Sequence, residues 1–497
     1  MDARASNQTP AVAMWVSPAL SSPPSASTHP RPPLVDCGLA LARALAAEIV
    51  DNQQGVIVTV LAKLPPGAPI GTTVTNALLR VLWDDIPKPP ATLVGDYRYR
   101  EADGSKNNIF LHDLGKARMP YARSVPNLHA CPTQLPDQGV VWDSLLKRDK
   151  FVAHPSGISS LLFGFAQLIV HSIFQTDPRN GEVNEASSYL DLSPIYGNNA
   201  AEQATVRSGV QGLLHADAVA NKRIFLVSPS CVALAVLFSR HHDIAKRLFD
   251  VNEQGRYAEW DSLDDEGKKR QEHDLFNTAR NVNCGHFVNV IFQDYIRVIL
   301  NLDKTDSTWS LVPTGEIKSL LGGRLPRGEG NHVSVEFNIL YRWHASASQK
   351  DTKWLEGLMF QYNGGKPFGE MTTEDFQIAA RKALDDMMSG PESWTFLGFK
   401  RTESGAFGDE DIVKVLLEAT DNVAWALKAS AIPEVMRAID RLGMEAARKA
   451  WRCCTMNEFR EFLGLKVYSS VDEWNPDKDV ARAAEKRYTQ DKYRERL

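Results

Sequence analysis

From residue 156 onward, apolar side chains recur at steps of three and four in blocks long enough for helices. The blocks fall at 156–175, 231–252, 268–302, 333–346, 373–389, 410–429, 432–451 and 456–464. Alternating β-branched runs closed by hairpin turns are scarce, so the pattern predicts a mainly α fold. The block at 410 opens on Asp409, Glu410 and Asp411 and closes near Lys428, charges of the sign that each end of a helix dipole favours. Upstream, residues 36–62 have helical composition until Pro65, Pro66, Gly67 and Pro69 break it. Residues 85–155 are rich in Pro, Gly, Asp and Asn and read as a long wrapping arm. Residues 1–35 repeat Pro and Ser with no apolar run, and are expected to form a disordered leader ahead of one domain at 36–497.

Composition narrows the function classes. The 497 residues carry 56 Lys plus Arg against 61 Asp plus Glu, a net charge of -5, which gives no basic field for nucleic acid. The six cysteines are too few for a disulfide framework, and adjacent Cys453 and Cys454 lack the C-x-x-C spacing of a zinc or redox site, so all are read as reduced. No secretory signal opens the chain, which predicts a cytoplasmic protein. The longest apolar stretch, 156–174, carries Gln167, His171 and several Ser. It fits a buried helix better than a membrane span.

Candidate chemistry concentrates on two blocks. Phe163, Gln167, Val170, His171 and Phe174 share one helical face, apolar except for the amide and the imidazole. Each polar group there needs a ligand or a partner, since an unpaired buried one costs about 1–3 kcal/mol. A core histidine bonded to a backbone carbonyl would also satisfy the pattern. In 333–348, Phe337, Leu340, Tyr341 and His344 stand at i, i+3, i+4 and i+7, which on a helix projects Tyr341 and His344 side by side. The imidazole can ligate a metal or heme iron, and the phenol can give up an electron and a proton. Ordinary buried polar residues are the alternative. Taken together, the two blocks supply one His below and one above a flat apolar cofactor, as a heme peroxidase requires.

These residues resemble a family. Phe165-Ala166-Gln167 followed by His171 is similar to the distal helix of the animal-type heme peroxidases. Glu336-Phe337-Asn338, Leu340-Tyr341 and Trp343-His344 resemble the E-F-N-x-L-Y-x-W-H segment of the cyclooxygenase branch. The likeness extends to the fungal linoleate diol synthases and psi-factor-producing oxygenases through 97–125, 187–197, 300–311, 455–466 and 473–476. It implies a helical heme peroxidase-like domain with noncovalent heme b, since no Arg-x-x-Glu-Met linking segment is present. It also implies that a polyunsaturated fatty acid and dioxygen are converted to an 8- or 10-hydroperoxide.

By that resemblance His344 is the proximal iron ligand, His171 the distal acid-base group, Gln167 a residue that orients the peroxide, and Tyr341 the radical-carrying phenol. Trp343 packs beside the heme or serves as core. A peroxidase without lipid oxygenation, or an inactive helical binding protein, are the competing readings. The calcium loop of many animal-type peroxidases is half present: Ser187, Tyr189, Asp191 and Ser193 match it, but Ser172 stands where an Asp follows the distal His. A capped turn, with Asp191 and Ser193 bonded to backbone, is the other reading. Arg240-His241-His242-Asp243 reads as a packed or solvated helix end. Relatives continue beyond Tyr488 and often add a heme-thiolate domain, so the chain is expected to be C-terminally shortened and without diol-forming activity. Phe459, Phe462, Leu463 and Leu465 then lie uncovered, which predicts an oligomer, peripheral membrane association or low stability.

Overall fold

The computed structural model describes residues 97–108, 111–125, 135–302, 331–387 and 390–488, with a few positions between 72 and 79. The expected leader, the helix at 36–62 and all but the first three residues of 300–311 lie outside the described residues. The chain divides into two units at Pro90, and the account below concerns the second, Ala91–Leu497.

This unit is helical. Its principal helices are α1 (Leu161–Ile173), α2 (Pro229–His241), α3 (Asp265–Val290), α4 (Val335–Leu340), α5 (Gln349–Tyr362), α6 (Thr373–Asp385), α7 (Asp409–Asp421), α8 (Arg437–Arg448), α9 (Met456–Phe462) and α10 (Lys478–Tyr488). Among the described residues a single two-stranded ladder pairs β1 (Met119–Pro120) with β2 (Val183–Asn184), antiparallel, Met119 opposite Asn184. The residues of the arm that are described wrap the helices by isolated bridges, Ala122 to Ser334 and Ala153 to Trp425 among them.

The core forms where α1 meets α2. Leu162, Phe165, Leu168 and Ile169 of α1 pack with Val232, Ala235 and Val236 of α2 and with Phe287 of α3. The close approach depends on Gly164, where a Cβ would run into Ser230 Oγ and lie 3.1 Å from Cys231 N. Each fully buried Leu or Phe contributes about 1.5–3 kcal/mol, so this seam dominates the stability of the unit. A second cluster joins Phe163, Leu355 and Met359 to Val435 and Met436, and Trp343 packs against both.

Two helix expectations change. The block at 410 ends at Asp421 rather than near Lys428, because Asn422 to Ala426 run extended and bond back to Ile158, Val152 and Ser346. The block at 333–346 is not one helix. Ser334 caps α4 by accepting from Phe337 N at 3.2 Å, but the helix stops at Leu340. Tyr341 then takes φ -82, ψ 61, and Arg342 N donates to Leu340 O at 2.9 Å, an inverse γ-turn. His344 opens a short 3₁₀ turn, His344–Ser346. Phe337 and Leu340, read as one buried face with Tyr341 and His344, are instead 40% and 51% exposed. No Gly or Pro causes this break. Tertiary bonds from Tyr341 and His344, described below, impose it.

Phe462, Leu463 and Leu465 are exposed, as the sequence suggested, whereas Phe459 is half-buried, its ring centroid 6.5 Å from that of Phe462. Among the described residues no helix is long and apolar enough to cross a membrane.

Candidate active site

His171 lies in the last turn of α1, one helical turn beyond Gln167. One edge of its ring stays partly exposed while Nδ1 is enclosed and has no hydrogen-bond partner. The backbone-bonded core histidine is therefore not what the fold builds at Nδ1. Burial, helped by the Arg223 cation, pushes the imidazole down to about 3, so the ring is neutral through the physiological range. Gln167 does not bond to His171. Its Oε1 accepts from Ser228 N at 3.2 Å and from Ser228 Oγ at 2.5 Å, at the start of α2. A backbone N–H requires an acceptor, which fixes the amide orientation and leaves the NH₂ end of Gln167 to donate elsewhere.

The tight turn after α4 sets the second half of the site. His344 Nδ1 lies 2.9 Å from Asp440 Oδ1 of α8. With Nδ1–H donating to that carboxylate, the tautomer leaves Nε2 with a free lone pair. Asp440 is buried and its Oδ2 has no partner, so the carboxylate serves His344 alone among hydrogen-bond donors. The Tyr341 hydroxyl meets the Tyr295 hydroxyl at 2.8 Å, and burial pushes the pKa of both phenols up. Both therefore stay protonated. Trp343 stands edge-on to Tyr341 with ring centroids 5.7 Å apart, and 6.4 Å from Tyr295. The Trp343 indole N–H is enclosed beside the Tyr341 hydroxyl, outside ordinary hydrogen-bond geometry to it.

Sequence reasoning missed Tyr295, Asp440 and Ser228. Tyr295 ends a π-helical turn, Ile291–Tyr295, inserted after α3, a local widening that frequently marks functional positions. Nothing in its spacing distinguishes it from ordinary core aromatics. Asp440 falls in the block at 432–451, whose spacing marks it only as helical. The one signal available was the demand of His344 for an acceptor.

The residues of the half-matched calcium loop bond to one another. Ser187 Oγ donates to Asp191 Oδ2 at 2.7 Å, Ser193 N to Asp191 Oδ1 at 3.1 Å, and Ser193 Oγ to Ser172 O at 2.9 Å. Tyr189 OH donates to Leu114 O at 2.7 Å. This is the arrangement of the capped turn. At the Arg240 helix end, Arg240 grips Asp217 with two bonds of 2.8 Å. His242 is buried between Tyr196 OH and Gly212 O, so this end is packed, as read.

The geometry defines a class. A neutral buried imidazole, a second imidazole oriented by a carboxylate and a paired phenol sit in a mainly helical domain whose overall fold matches solved fatty-acid oxygenases. The Oryza sativa fatty acid alpha-dioxygenase superposes with a TM-score of 0.55 over 93% of this chain and 83% of that one, at 16% identity. The Arabidopsis thaliana enzyme of the same name gives 0.54 over 92% and 82%, at 15% identity.

Sequence relatives are more specific. The 7,8-linoleate diol synthase of Pyricularia oryzae is 42% identical over 431 residues, 86% of this chain and 37% of the relative. Linoleate diol synthase of Gaeumannomyces graminis is 40% identical over 463 residues, 91% of this chain and 40% of the relative. A psi-producing oxygenase A of Aspergillus fumigatus is 38% identical over 451 residues, 90% of this chain and 42% of the relative. No family model matches the chain. The chain is a relative of the fungal linoleate diol synthases and psi-producing oxygenases, as the motifs at 165–171 and 336–344 indicated. It spans about two fifths of the length of these relatives.

Proposed function

We propose that this chain is a heme-dependent fatty-acid dioxygenase that converts linoleate or oleate with dioxygen to an 8- or 10-hydroperoxide. The observation that carries the reading is the His344–Asp440 bond of 2.9 Å, which leaves Nε2 available as an iron ligand. The donor set fits the cofactor: one imidazole oriented by a carboxylate and one neutral imidazole whose Nδ1 is enclosed without a hydrogen-bond partner. Noncovalent heme b, when bound, would supply a peroxide-driven one-electron oxidant.

The residues of the chain do the rest. His344 would hold the iron of bound heme through Nε2. His171, neutral and without a static partner, takes the proton of a hydroperoxide and returns it to the departing oxygen. Gln167, its oxygen pinned by Ser228, turns its NH₂ group to the peroxide. Tyr341 gives up a hydrogen atom while Tyr295 holds the phenol in place, and the tyrosyl radical then removes a hydrogen from the fatty acid. Dioxygen adds to the carbon radical, and the peroxyl so formed takes a hydrogen atom from the Tyr341 hydroxyl, which yields the hydroperoxide and restores the tyrosyl radical. The Tyr341–Tyr295 pair favours this reading over a peroxidase that leaves lipid untouched. The exposed row at Phe462, Leu463 and Leu465 supports lipid or self association.

An absorption spectrum of the purified chain tests the reading. A Soret band in the wild type that His344→Ala loses supports it, and a colourless protein that heme cannot reconstitute refutes it.

A further inference from the structure

The seam of α1 and α2 carries a row of hydroxyls that ends on Gln167. Ser228 stands at the N-cap of α2 and Ser230 in its first turn, both buried. The hydroxyl of an N-cap serine ordinarily accepts from the first turn of its own helix, but Ser228 makes no such bond. Its Oγ lies instead 2.5 Å from Gln167 Oε1 and 3.1 Å from Ser230 Oγ, and its N lies 3.2 Å from the same Oε1. Ser230 fits here because Gly164, one turn before Gln167 on α1, has no side chain. A Cβ at that position would stand 3.0 Å from Ser230 Cβ and run into its Oγ.

Each bond in this row has one possible direction. The Ser228 N–H needs an acceptor, so the atom facing it is the amide oxygen of Gln167. That oxygen carries no hydrogen, and the 2.5 Å contact therefore consumes the single O–H of Ser228. Only lone pairs of Ser228 Oγ remain for Ser230, which makes Ser230 the donor of the 3.1 Å bond. The row runs one way, from Ser230 to Ser228 to Gln167. Bonds aligned head to tail strengthen one another by roughly 10–30% each. Two donors on an amide oxygen also draw electron density from its nitrogen, which makes the NH₂ group the better donor.

That NH₂ group is unspent. Among the described residues nothing accepts from it, and it is not sealed from solvent. His171, one turn further along the same face of α1, likewise keeps one ring edge partly exposed.

We propose that Ser228 and Ser230 are positioning residues that hold the Gln167 amide with its nitrogen toward the open face of α1 and strengthen it as a donor to an oxygen atom beside His171. Within the function proposed above, on which this inference rests, that oxygen belongs to a hydroperoxide. Two hydroxyls that never touch it then set how strongly Gln167 donates to it.

The full-length chain reconstituted with heme is tested with ligands that report a distal donor without turnover. A hydrogen bond to the ligand lowers the C–O stretch of the ferrous carbon monoxide complex and tightens fluoride binding to the ferric form. The stretch should rise above the wild-type value in the order Ser230→Ala, Ser228→Ala, Gln167→Ala. Fluoride affinity should fall about 10- to 100-fold in Gln167→Ala, the worth of a hydrogen bond to a charged group. It should fall about 3- to 10-fold in Ser228→Ala and about 2-fold in Ser230→Ala, where polarisation alone is lost. Ser228→Thr keeps both donors and should restore wild-type values. A merely structural role would lower the thermal midpoint and leave the stretch in place. Wild-type stretch and fluoride affinity in Ser228→Ala overturn the proposal, and the same result in Gln167→Ala removes the amide from the site altogether. If Ser228→Ala does not fold, Ser230→Ala decides the same question. A chain that binds no heme refutes the heme reading instead. The row of hydroxyls is then decided in the heme-free chain by the side-chain amide resonance of Gln167 in glutamine-labelled protein. That resonance should move in Ser228→Ala and Ser230→Ala, and an unmoved one overturns the proposal.

Discussion

Replacing Asp440 with Ala removes the acceptor of His344 Nδ1–H, a bond of 2.9 Å to a residue 8% exposed. The fold is affected too. Oδ2 of Asp440 already lacks a partner, but the carboxylate is the acidic group that bears on the desolvated Arg342, so truncation leaves that cation uncompensated and the chain without heme should unfold at a lower thermal midpoint. The consequence for the cofactor is more specific. An imidazole without its carboxylate loses orientation and basicity, which typically weakens metal affinity 10- to 100-fold, or about 1.4–2.8 kcal/mol. Asp440→Asn keeps an acceptor oxygen and should lose the smaller part of that. Heme transfer to apomyoglobin measures the off-rate, and a redox titration should show a higher potential, since the carboxylate-backed imidazole favours the oxidised iron. Wild-type off-rate and potential in both variants would remove His344–Asp440 from the cofactor site.

Tyr341→Phe keeps the ring packed against Trp343 and removes the hydroxyl, so oxygen uptake with linoleate should vanish while peroxide turnover persists; continued oxygen uptake refutes the radical role. His171→Ala should retain heme and slow peroxide cleavage by roughly 10²–10⁴, measured by single-turnover stopped flow. Acid should weaken the apo fold: His171 and His242 sit near 3 and 4, below the unfolded value of about 6.5. The unfolded chain then binds more protons below that value, so stability present above about pH 6.5 is lost as pH falls toward 3–4. The slope is at most about 1.4 kcal/mol per pH unit for each histidine, and urea midpoints across pH should show it shrink in His242→Phe. Arg240→Met leaves buried Asp217 without its two-bond partner and should cost about 3–5 kcal/mol in chemical denaturation.

The helices that were legible are those with a wide apolar stripe. The seam of α1 and α2 could be read because Phe165, Leu168 and Ile169 repeat at helical spacing. The helix α5 escaped because it buries only Asp351, Leu355 and Met359, a narrow stripe among charged residues. The helix α10 buries just Ala481 and Ala484, which carry almost no hydropathy signal. The site was legible where a motif stands in one stretch of chain, as with His171, Gln167, Tyr341 and His344. It was illegible where contacts cross 46 residues, as between Tyr295 and Tyr341, or 96, as between His344 and Asp440. The turn at Tyr341 shows why: helical propensity continues through Arg342, and only those two long-range bonds pull the chain out of the helix.

Under the function proposed above, the opposite surroundings of the two imidazoles follow from the role each is assigned. A metal ligand has to present one nitrogen in one direction, so His344 spends Nδ1 on a dedicated carboxylate and its ring is held. A residue that accepts and returns a proton must change partners during turnover, and any strong static bond would have to break first. His171 accordingly carries an enclosed Nδ1 with no partner, at a cost of about 1–3 kcal/mol for the unsatisfied group. The fold absorbs that cost in the same helix: Phe165, Leu168 and Ile169 lie within two turns of His171 and are buried in the seam with α2. Rigidity supplied by apolar packing, rather than by hydrogen bonds to the ring, keeps His171 in position while leaving its nitrogens uncommitted.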